Sequence, residues 1–98
     1  MTIEKKLNGA SAILVVTGRL DTQSAPELEK ELDGIFPDLK ELSFDMTGLE
    51  YVSSAGLRVI LKAQKIMNTQ GSMRLTGVND NIMEVLDITG FLDILTIE

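Results

Sequence analysis

Hydrophobic and polar positions at the start of the chain follow the pattern of two strands. Residues 2–7 and 11–18 are both rich in strand-forming side chains, and the dipeptide Asn8-Gly9 lies between them. This dipeptide is typical of a tight hairpin turn, because both residues tolerate the left-handed backbone that such turns need. The sequence therefore predicts an antiparallel hairpin as the first unit of the fold.

In residues 21–36 the spacing of the hydrophobic positions changes to that of a helix. Ser24 stands three residues before Glu27, the spacing of a capping box, and Pro26 lies in the first turn. Pro37 ends the predicted helix. The apolar side chains of its buried face are Leu28, Leu32, Ile35 and Phe36.

The rest of the chain alternates between short apolar runs and helical patterns. One apolar run ends at Val52 and is followed directly by two serines and a long helical pattern. Gly71 and Gly90 follow the two helical patterns where glycine commonly ends helices, and Asn79 precedes the second pattern as a cap. The predicted elements are a strand at 39–46, a helix at 54–70, a strand at 72–77, a helix at 80–89 and a strand at 91–98.

Strands that alternate with helices indicate an α/β fold. We predict a mixed sheet of about five strands that is entered through the antiparallel hairpin, with the later strands parallel and the helices packed on the sheet. A chain of 98 residues is long enough for one hydrophobic core. A single domain over residues 1–98 is therefore expected.

The composition excludes several classes of function. The chain contains no Cys and no His, which removes disulfides, thiolate catalysis, the usual general base and the commonest transition-metal ligand. The net charge of −6 argues against direct nucleic-acid binding. Neither a glycine-rich nucleotide loop nor a run of about 20 apolar residues occurs. We therefore expect no cofactor, no metal and no membrane span, and we expect a cytoplasmic protein.

Three polar groups lie at the end of, or directly after, predicted strands or apolar runs, where functional groups of α/β sheets gather. They are Asp21, Asp45 and the pair Ser53-Ser54. Serine hydrolysis needs a general base, and without His the remaining option is Lys62, two helical turns beyond the serines. A phosphoacceptor aspartate would need an acidic Mg²⁺ pocket and a Lys late in the sheet, but the last third of the chain has no Lys. We therefore predict a binding protein and not an enzyme.

The serine pair has two interpretations. Either hydroxyl can cap the following helix by accepting a hydrogen bond from a backbone N–H. Alternatively, the helix N-terminus accommodates an anion, and a phosphate on Ser54 would lie one turn before Arg58. Ala55 and Gly56 would leave the backbone there open to a close partner. Residues 53–74 carry four bases and no acid, which fits either a basic binding surface or an ordinary solvated helix face.

Three segments of the chain match, in order, the pattern of one protein family. They are GRLDTQSAPELEKEL, LSFDMTGLEYVSSAGLRVIL and VLDITGFLDILTI, and they span nearly the whole chain. Together they resemble the bacterial anti-sigma factor antagonists of the STAS domain family. In that family the third strand leads into an Asp-Ser-Ser/Thr-Gly-Leu motif that opens a helix, and the first serine of the motif is phosphorylated.

The resemblance assigns roles to residues at the start of the second helix. When the motif is aligned on Gly56-Leu57, the phosphorylated serine falls on Ser54. Ser53 occupies the position that is usually Asp and is the alternative acceptor. Arg58 stands where a small residue is common in phosphorylated members. The implied partner-binding residues are Asp21, Thr22, Ser53, Ser54, Ala55, Gly56 and Arg58.

The resemblance also implies a partner-switching mechanism. The unmodified protein would bind an anti-sigma factor that is also a serine kinase, and would thereby release a sigma factor. Phosphorylation of Ser54 would end this binding, and a PP2C-type phosphatase would restore it. The alternative is a STAS interaction module that is not phosphorylated and that serves in a signalling scaffold or a transport complex.

Overall fold

Five strands, three α-helices and one 3₁₀ helix follow one another along the chain. The structure is a computed structural model, and it describes all residues from 1 to 98. The elements are β1 (Thr2–Asn8), β2 (Ser11–Leu20), α1 (Ala25–Ile35), β3 (Glu41–Asp45), β4 (Leu49–Val52), α2 (Ser54–Gln70), β5 (Ser72–Thr76), α3 (Asp80–Ile88) and the 3₁₀ helix (Phe91–Asp93).

The sheet is built around β2, the longest strand. β1 pairs with β2 in antiparallel fashion, while β3 pairs with β2 and β5 pairs with β3 in parallel fashion, which gives the order β1-β2-β3-β5. β4 pairs in parallel with the last residues of β2, where Leu20 lies opposite Val52. The predicted mixed sheet of five strands, entered through an antiparallel hairpin, is therefore confirmed.

One face of the sheet forms the floor of a single hydrophobic core. Successive side chains of a strand point to opposite faces, and in β2 the alternate residues Ala12, Leu14 and Val16 are buried. The side chains of Leu14 on β2 and Phe44 on β3 lie side by side, and both are fully buried. The helices add their own apolar faces to the same cluster of 24 buried residues. This packing confirms that the helices lie on the sheet.

Two details of the hairpin and the C-terminal region differ from the prediction. The two-residue loop is Gly9-Ala10 and not Asn8-Gly9, because Asn8 still pairs with Ser11. The predicted strand at 91–98 is wrong. Gly90 has a φ of 79° and leads directly into the 3₁₀ helix, which replaces the first part of that strand.

The chain after the 3₁₀ helix touches the outer edge of β5 at one bridge only. The N–H of Leu75 donates to the carbonyl of Thr96 at 2.9 Å, and the N–H of Glu98 donates to the carbonyl of Leu75 at 2.9 Å. This bridge is too short to form a strand. The fifth strand of the sheet is instead β4, which the sequence analysis described only as an apolar run before the serines.

The predicted capping box at the start of α1 does not form, because Ser24 pairs with Asp21, three residues before it. The Ser24 side chain does not cap α1. Instead, the N–H of Asp21 donates to Ser24 Oγ at 2.9 Å, and the N–H of Ser24 donates to Asp21 Oδ1 at 3.0 Å. Ser24 Oγ also donates to the carbonyl of Arg19 at 2.8 Å. The reciprocal pair therefore holds the end of β2 against the start of the helix.

These hydrogen bonds change the acidity of Asp21. The N–H of Ser24 is the main cause that lowers the pKa of the carboxyl below its ordinary value, and the Ser24 hydroxyl and the N–H of Gln23 act in the same direction. Hydrogen bonds to the ionised form favour that form. The folded protein therefore keeps Asp21 ionised at lower pH than the unfolded chain does.

The first turn of α2 lies directly against the end of β2. A Cβ atom placed on Gly56 would stand 2.6 Å from Leu20 Cγ and 3.0 Å from the Leu20 carbonyl oxygen. The N–H of Ser53 donates to that same carbonyl at 2.8 Å. The absence of a side chain at residue 56 is thus what allows the helix to begin this close to the sheet.

We expect Gly56→Ala to lower the free energy of unfolding by about 1–3 kcal/mol, because the added methyl group overpacks the contact with Leu20. Urea denaturation measures this change. Gly34→Ala in α1 is the matched control, since a Cβ there meets no atom within 4 Å. The control substitution should stabilise the protein by up to about 1 kcal/mol. Equal effects of the two substitutions would contradict the close contact.

We also expect Asp21 to contribute to acid denaturation. Because its folded-state pKa is lowered, its contribution to stability is fully present above the ordinary aspartate value of 3.8 and is lost as the pH falls through the lowered value. In Asp21→Asn the free energy of unfolding should therefore fall less steeply with decreasing pH below 3.8. Urea titrations over the acid range test this. Asp87→Asn, which replaces an exposed carboxylate on α3, is the control. Equal effects of the two substitutions on the pH dependence would contradict the contribution of Asp21.

Candidate functional site

Ser53 caps α2. Its backbone is extended, with φ −90° and ψ 173°, and its side-chain oxygen accepts a hydrogen bond from the N–H of Gly56 at 3.2 Å. Its carbonyl accepts the first helical hydrogen bond, from the N–H of Leu57 at 2.9 Å. The side chain is half-buried. The capping interpretation of the serine pair therefore applies to the first of the two residues.

Ser54 is the first residue of α2 and has a different environment. Its side chain is exposed, and its hydroxyl makes no hydrogen bond within the protein. The first turn of the helix carries no acidic residue. The structure thus places a free hydroxyl at the positive end of a 17-residue helix, where an added anion is favoured.

A groove between α1 and α2 begins beside Ser54. Thr22, Ala55 and Arg58, three of the residues predicted to bind a partner, lie in its wall. The other four residues of the wall, which the sequence analysis did not single out, are Ala25, Pro26, Glu29 and Val59. The wall of the groove therefore combines apolar side chains with the charged groups of Glu29 and Arg58.

Asp21 and Gly56 position the site and contribute little to its exposed surface. Asp21 is half-buried and holds the turn before α1, while Gly56 is buried against Leu20. Because β2 and β4 run in parallel, their carboxyl ends lie together, and Asp21 and the serines follow these ends directly. All seven predicted residues thus gather at one end of the sheet.

Charges across the groove are only partly paired. Lys62 Nζ lies 3.5 Å from Glu29 Oε2 and 3.7 Å from Asp33 Oδ1, so this cation links α2 to α1. Arg58 is exposed and forms no ion pair within 4 Å. Within the basic segment of residues 53–74, Lys62 and Arg74 therefore have acidic partners within 4 Å, whereas Arg58 and Lys65 have none.

Asp45, another polar group named from the sequence, lies at the end of β3 and is hydrogen-bonded to a residue of the following turn. Its Oδ1 accepts hydrogen bonds from the Thr47 hydroxyl at 2.7 Å and from the Thr47 N–H at 3.1 Å. The hydroxyl, followed by the N–H, lowers the pKa of the carboxyl below its ordinary value. Asp45 thus fixes the turn into β4. The protein contains no group of three or more acidic side chains that could hold a metal ion.

A cation–π pair lies on the strands that lead into the site. The guanidinium carbon of Arg19 lies 4.1 Å from the centre of the Tyr51 ring, and these residues are register partners on β2 and β4. This pair could not be predicted from the sequence, because the pairing of β2 with β4 has no signal in the linear pattern. The Tyr51 ring is partly exposed to solvent.

None of the helices is both long enough and apolar enough to cross a membrane. The longest, α2, carries charged side chains on its exposed face and faces the core with the other.

Comparison with curated proteins identifies several bacterial relatives. The anti-sigma-B factor antagonist of Listeria monocytogenes is 32% identical over 89 residues, which cover 87% of this chain and 76% of that protein. The anti-sigma-B factor antagonist of Bacillus subtilis is 28% identical over 98 residues, which cover 99% of this chain and 90% of that protein. The similarity to both thus extends over most of each chain.

Solved structures share the fold. An anti-sigma factor antagonist from Mycobacterium paratuberculosis superposes with a TM-score of 0.88 at 18% identity, covering 98% of this chain and 83% of that one. The phosphorylated form of SpoIIAA, a cell fate determinant of Bacillus, superposes with a TM-score of 0.78 at 11% identity, covering 99% of this chain and 91% of that one. At these identities the likeness concerns the fold alone.

The family model of the STAS domain matches residues 2–98. This match covers the hairpin, the whole sheet and all three helices. It confirms the resemblance that the three sequence segments indicated, and the chain therefore belongs to the STAS domain family.

Proposed function

We propose that this protein is an anti-sigma factor antagonist that binds an anti-sigma factor with serine kinase activity and so releases a sigma factor in the cytoplasm. The observation that carries the proposal is that the two adjacent serines have different environments. Ser53 satisfies the helix end, while the Ser54 hydroxyl is exposed and free. The curated relatives, which are named anti-sigma-B factor antagonists, support the same function.

The proposed switch is phosphorylation of Ser54. The kinase transfers the γ-phosphoryl group of ATP, so that a bond forms between phosphorus and Ser54 Oγ, the bond to ADP breaks, and the hydroxyl proton passes to a base of the kinase. The acceptor needs to enter the kinase site, and the exposed side chain permits this. A PP2C-type phosphatase hydrolyses the phosphate ester and restores the hydroxyl.

Ser53 is the weaker acceptor on structural grounds. Its oxygen already accepts a hydrogen bond from the N–H of Gly56, and its side chain is half-buried. Phosphorylation there would alter the group that caps α2. Ser54 has no such role, so the helix tolerates its modification.

The effect on binding follows from the groove beside Ser54. We propose that a partner covers the apolar wall formed by Ala25, Pro26 and Val59 and extends over Ala55 and the serine. A phosphate adds a charge of about −1.5 to −2 at this place. A charge that is buried without full pairing costs several kcal/mol, and each 1.4 kcal/mol or so is tenfold in affinity. No change of fold is needed to eject the partner.

A second candidate function is an interaction module that is not phosphorylated, in a signalling scaffold or a transport complex. One observation favours it: Ser53 stands where phosphorylated relatives usually have Asp, and a kinase that reads this carboxylate would not find it here. The groove and the exposed Arg58 would then serve a constitutive partner.

We expect Ser54→Asp to abolish binding to the cognate anti-sigma factor kinase and Ser54→Ala to leave it intact. The carboxylate imitates the charge of the phosphate, whereas the methyl group of Ala adds no charge to the contact. Isothermal titration calorimetry measures both affinities. Asn81→Asp is a matched control, because it adds an acidic side chain to the first turn of α3, away from the groove. If Ser54→Asp binds as tightly as the wild type, the charge switch is refuted.

We further expect one phosphate on the wild-type protein after incubation with the kinase and ATP. Intact mass measurement should show the same single phosphate on Ser53→Ala and none on Ser54→Ala. Ser53→Ala should also be less stable in urea by about 0.5–2 kcal/mol, because it loses the cap of α2. Binding without any phosphate transfer would establish the interaction module in place of the switch.

A further inference from the structure

Arg58 follows Ser54 by four residues on α2. Residues at this spacing are neighbours on the helix surface, with Cβ atoms about 5–6 Å apart. Helical side chains also lean toward the N-terminus, so the long side chain of Arg58 extends over the turn that contains Ser54. Both side chains are exposed. A group attached to Ser54 Oγ would therefore lie within reach of the guanidinium.

Arg58 has no acidic partner in the structure. It makes no ion pair within 4 Å, and the acid that shares its groove, Glu29, lies 3.5 Å from Lys62 Nζ instead. The carboxylate of Asp21, at the start of the loop before α1, accepts hydrogen bonds from the N–H groups of its own turn. The first turn of α2 has no acid that could repel an anion.

We propose that Arg58 is the internal counter-ion of the phosphate on Ser54, an inference that rests on the phosphorylation proposed above. The guanidinium donates two hydrogen bonds to phosphate oxygens, the geometry that arginine favours with such groups. The order of the pair, anion first and cation four residues later, is the favourable one in a helix. Phosphorylation then does two things: it adds an anion beside the groove, and it withdraws the free cation that the unmodified protein presents there.

The test uses protein with phosphoserine incorporated at position 54 during translation, which needs no kinase. The ³¹P chemical shift is followed against pH to obtain the second pKa of the phosphate, which is about 6 without a partner. A neighbouring cation favours the dianion and lowers this pKa. In phosphorylated Arg58→Gln we expect the pKa to be higher than in the phosphorylated wild type by about 0.3 of a pH unit or more.

Two further variants separate the charge of Arg58 from other effects. Arg58→Lys should keep part of the shift, because it retains a cation without the planar fork. Lys65→Gln, which removes an exposed cation two turns further along α2, should have the wild-type pKa. The charges of Glu29, Lys62 and Asp21 are the same in all of these proteins, so they do not contribute to the differences. The shift should shrink at high salt, because exposed ion pairs are screened.

An identical phosphate pKa in the phosphorylated wild type and in phosphorylated Arg58→Gln would refute the proposed pairing of Arg58 with the phosphate. This result does not depend on whether the kinase modifies Ser54. A kinase that leaves Ser54 unmodified would overturn the proposed switch, but not the measured pairing of a phosphate at that position with Arg58. The two proposals therefore fail in separate experiments.

Discussion

The contact between Gly56 and Leu20 sets the position of the whole site. A Cβ at residue 56 would lie 3.0 Å from a carbonyl oxygen that is itself hydrogen-bonded to the N–H of Ser53, so neither the backbone nor the helix could give way cheaply. The side chain of Leu20 is completely buried and cannot move aside. The first turn of α2 is thus fixed on the end of β2, and the direction in which Ser54 faces solvent is fixed with it.

The same contact explains why two adjacent hydroxyls have different roles. Because residue 53 is still extended and residue 54 is already helical, their side chains leave the backbone in different directions. One turns back to the N–H of Gly56, and the other faces water. The proposed phosphorylation of Ser54 would therefore change a side chain that makes no hydrogen bond at the helix end.

Periodic features of the fold could be predicted from the sequence, whereas features that depend on pairing between distant segments could not. The helix at 54–70 was predictable at both ends, because its apolar stripe, its serine cap and Gly71 all agree. β4 and the Arg19–Tyr51 pair depend on which strand lies next to β2, and no local pattern records that choice. The predicted strand at 91–98 failed because Phe91 and Leu92 are partly buried by a tight turn after Gly90 and not by strand pairing.

At the site, the sequence located the serines and the cation but not the groove that they border. Ser54 and Arg58 are adjacent along one helix, so their relation can be read from spacing alone. The groove needs α1 beside α2, and its additional wall residues come mainly from α1, which a linear pattern does not place there. The Ser24–Glu27 spacing was misleading for a related reason. The Ser24 hydroxyl accepts its hydrogen bond from the N–H of Asp21, three residues earlier, and does not cap α1.

The single bridge between Leu75 and Ile97 bears on how copies of this protein behave when crowded together. β5 is an outermost strand, and an uncovered edge of that kind invites backbone pairing with a neighbouring molecule. The N–H and carbonyl of Leu75, the second-to-last residue of β5, already form hydrogen bonds with Thr96 and Glu98. The opposite edge, β1, presents Lys5 and Lys6, and charged side chains discourage such pairing. Each border of the sheet therefore has its own protection against fibre-like association, one by occupation and the other by charge.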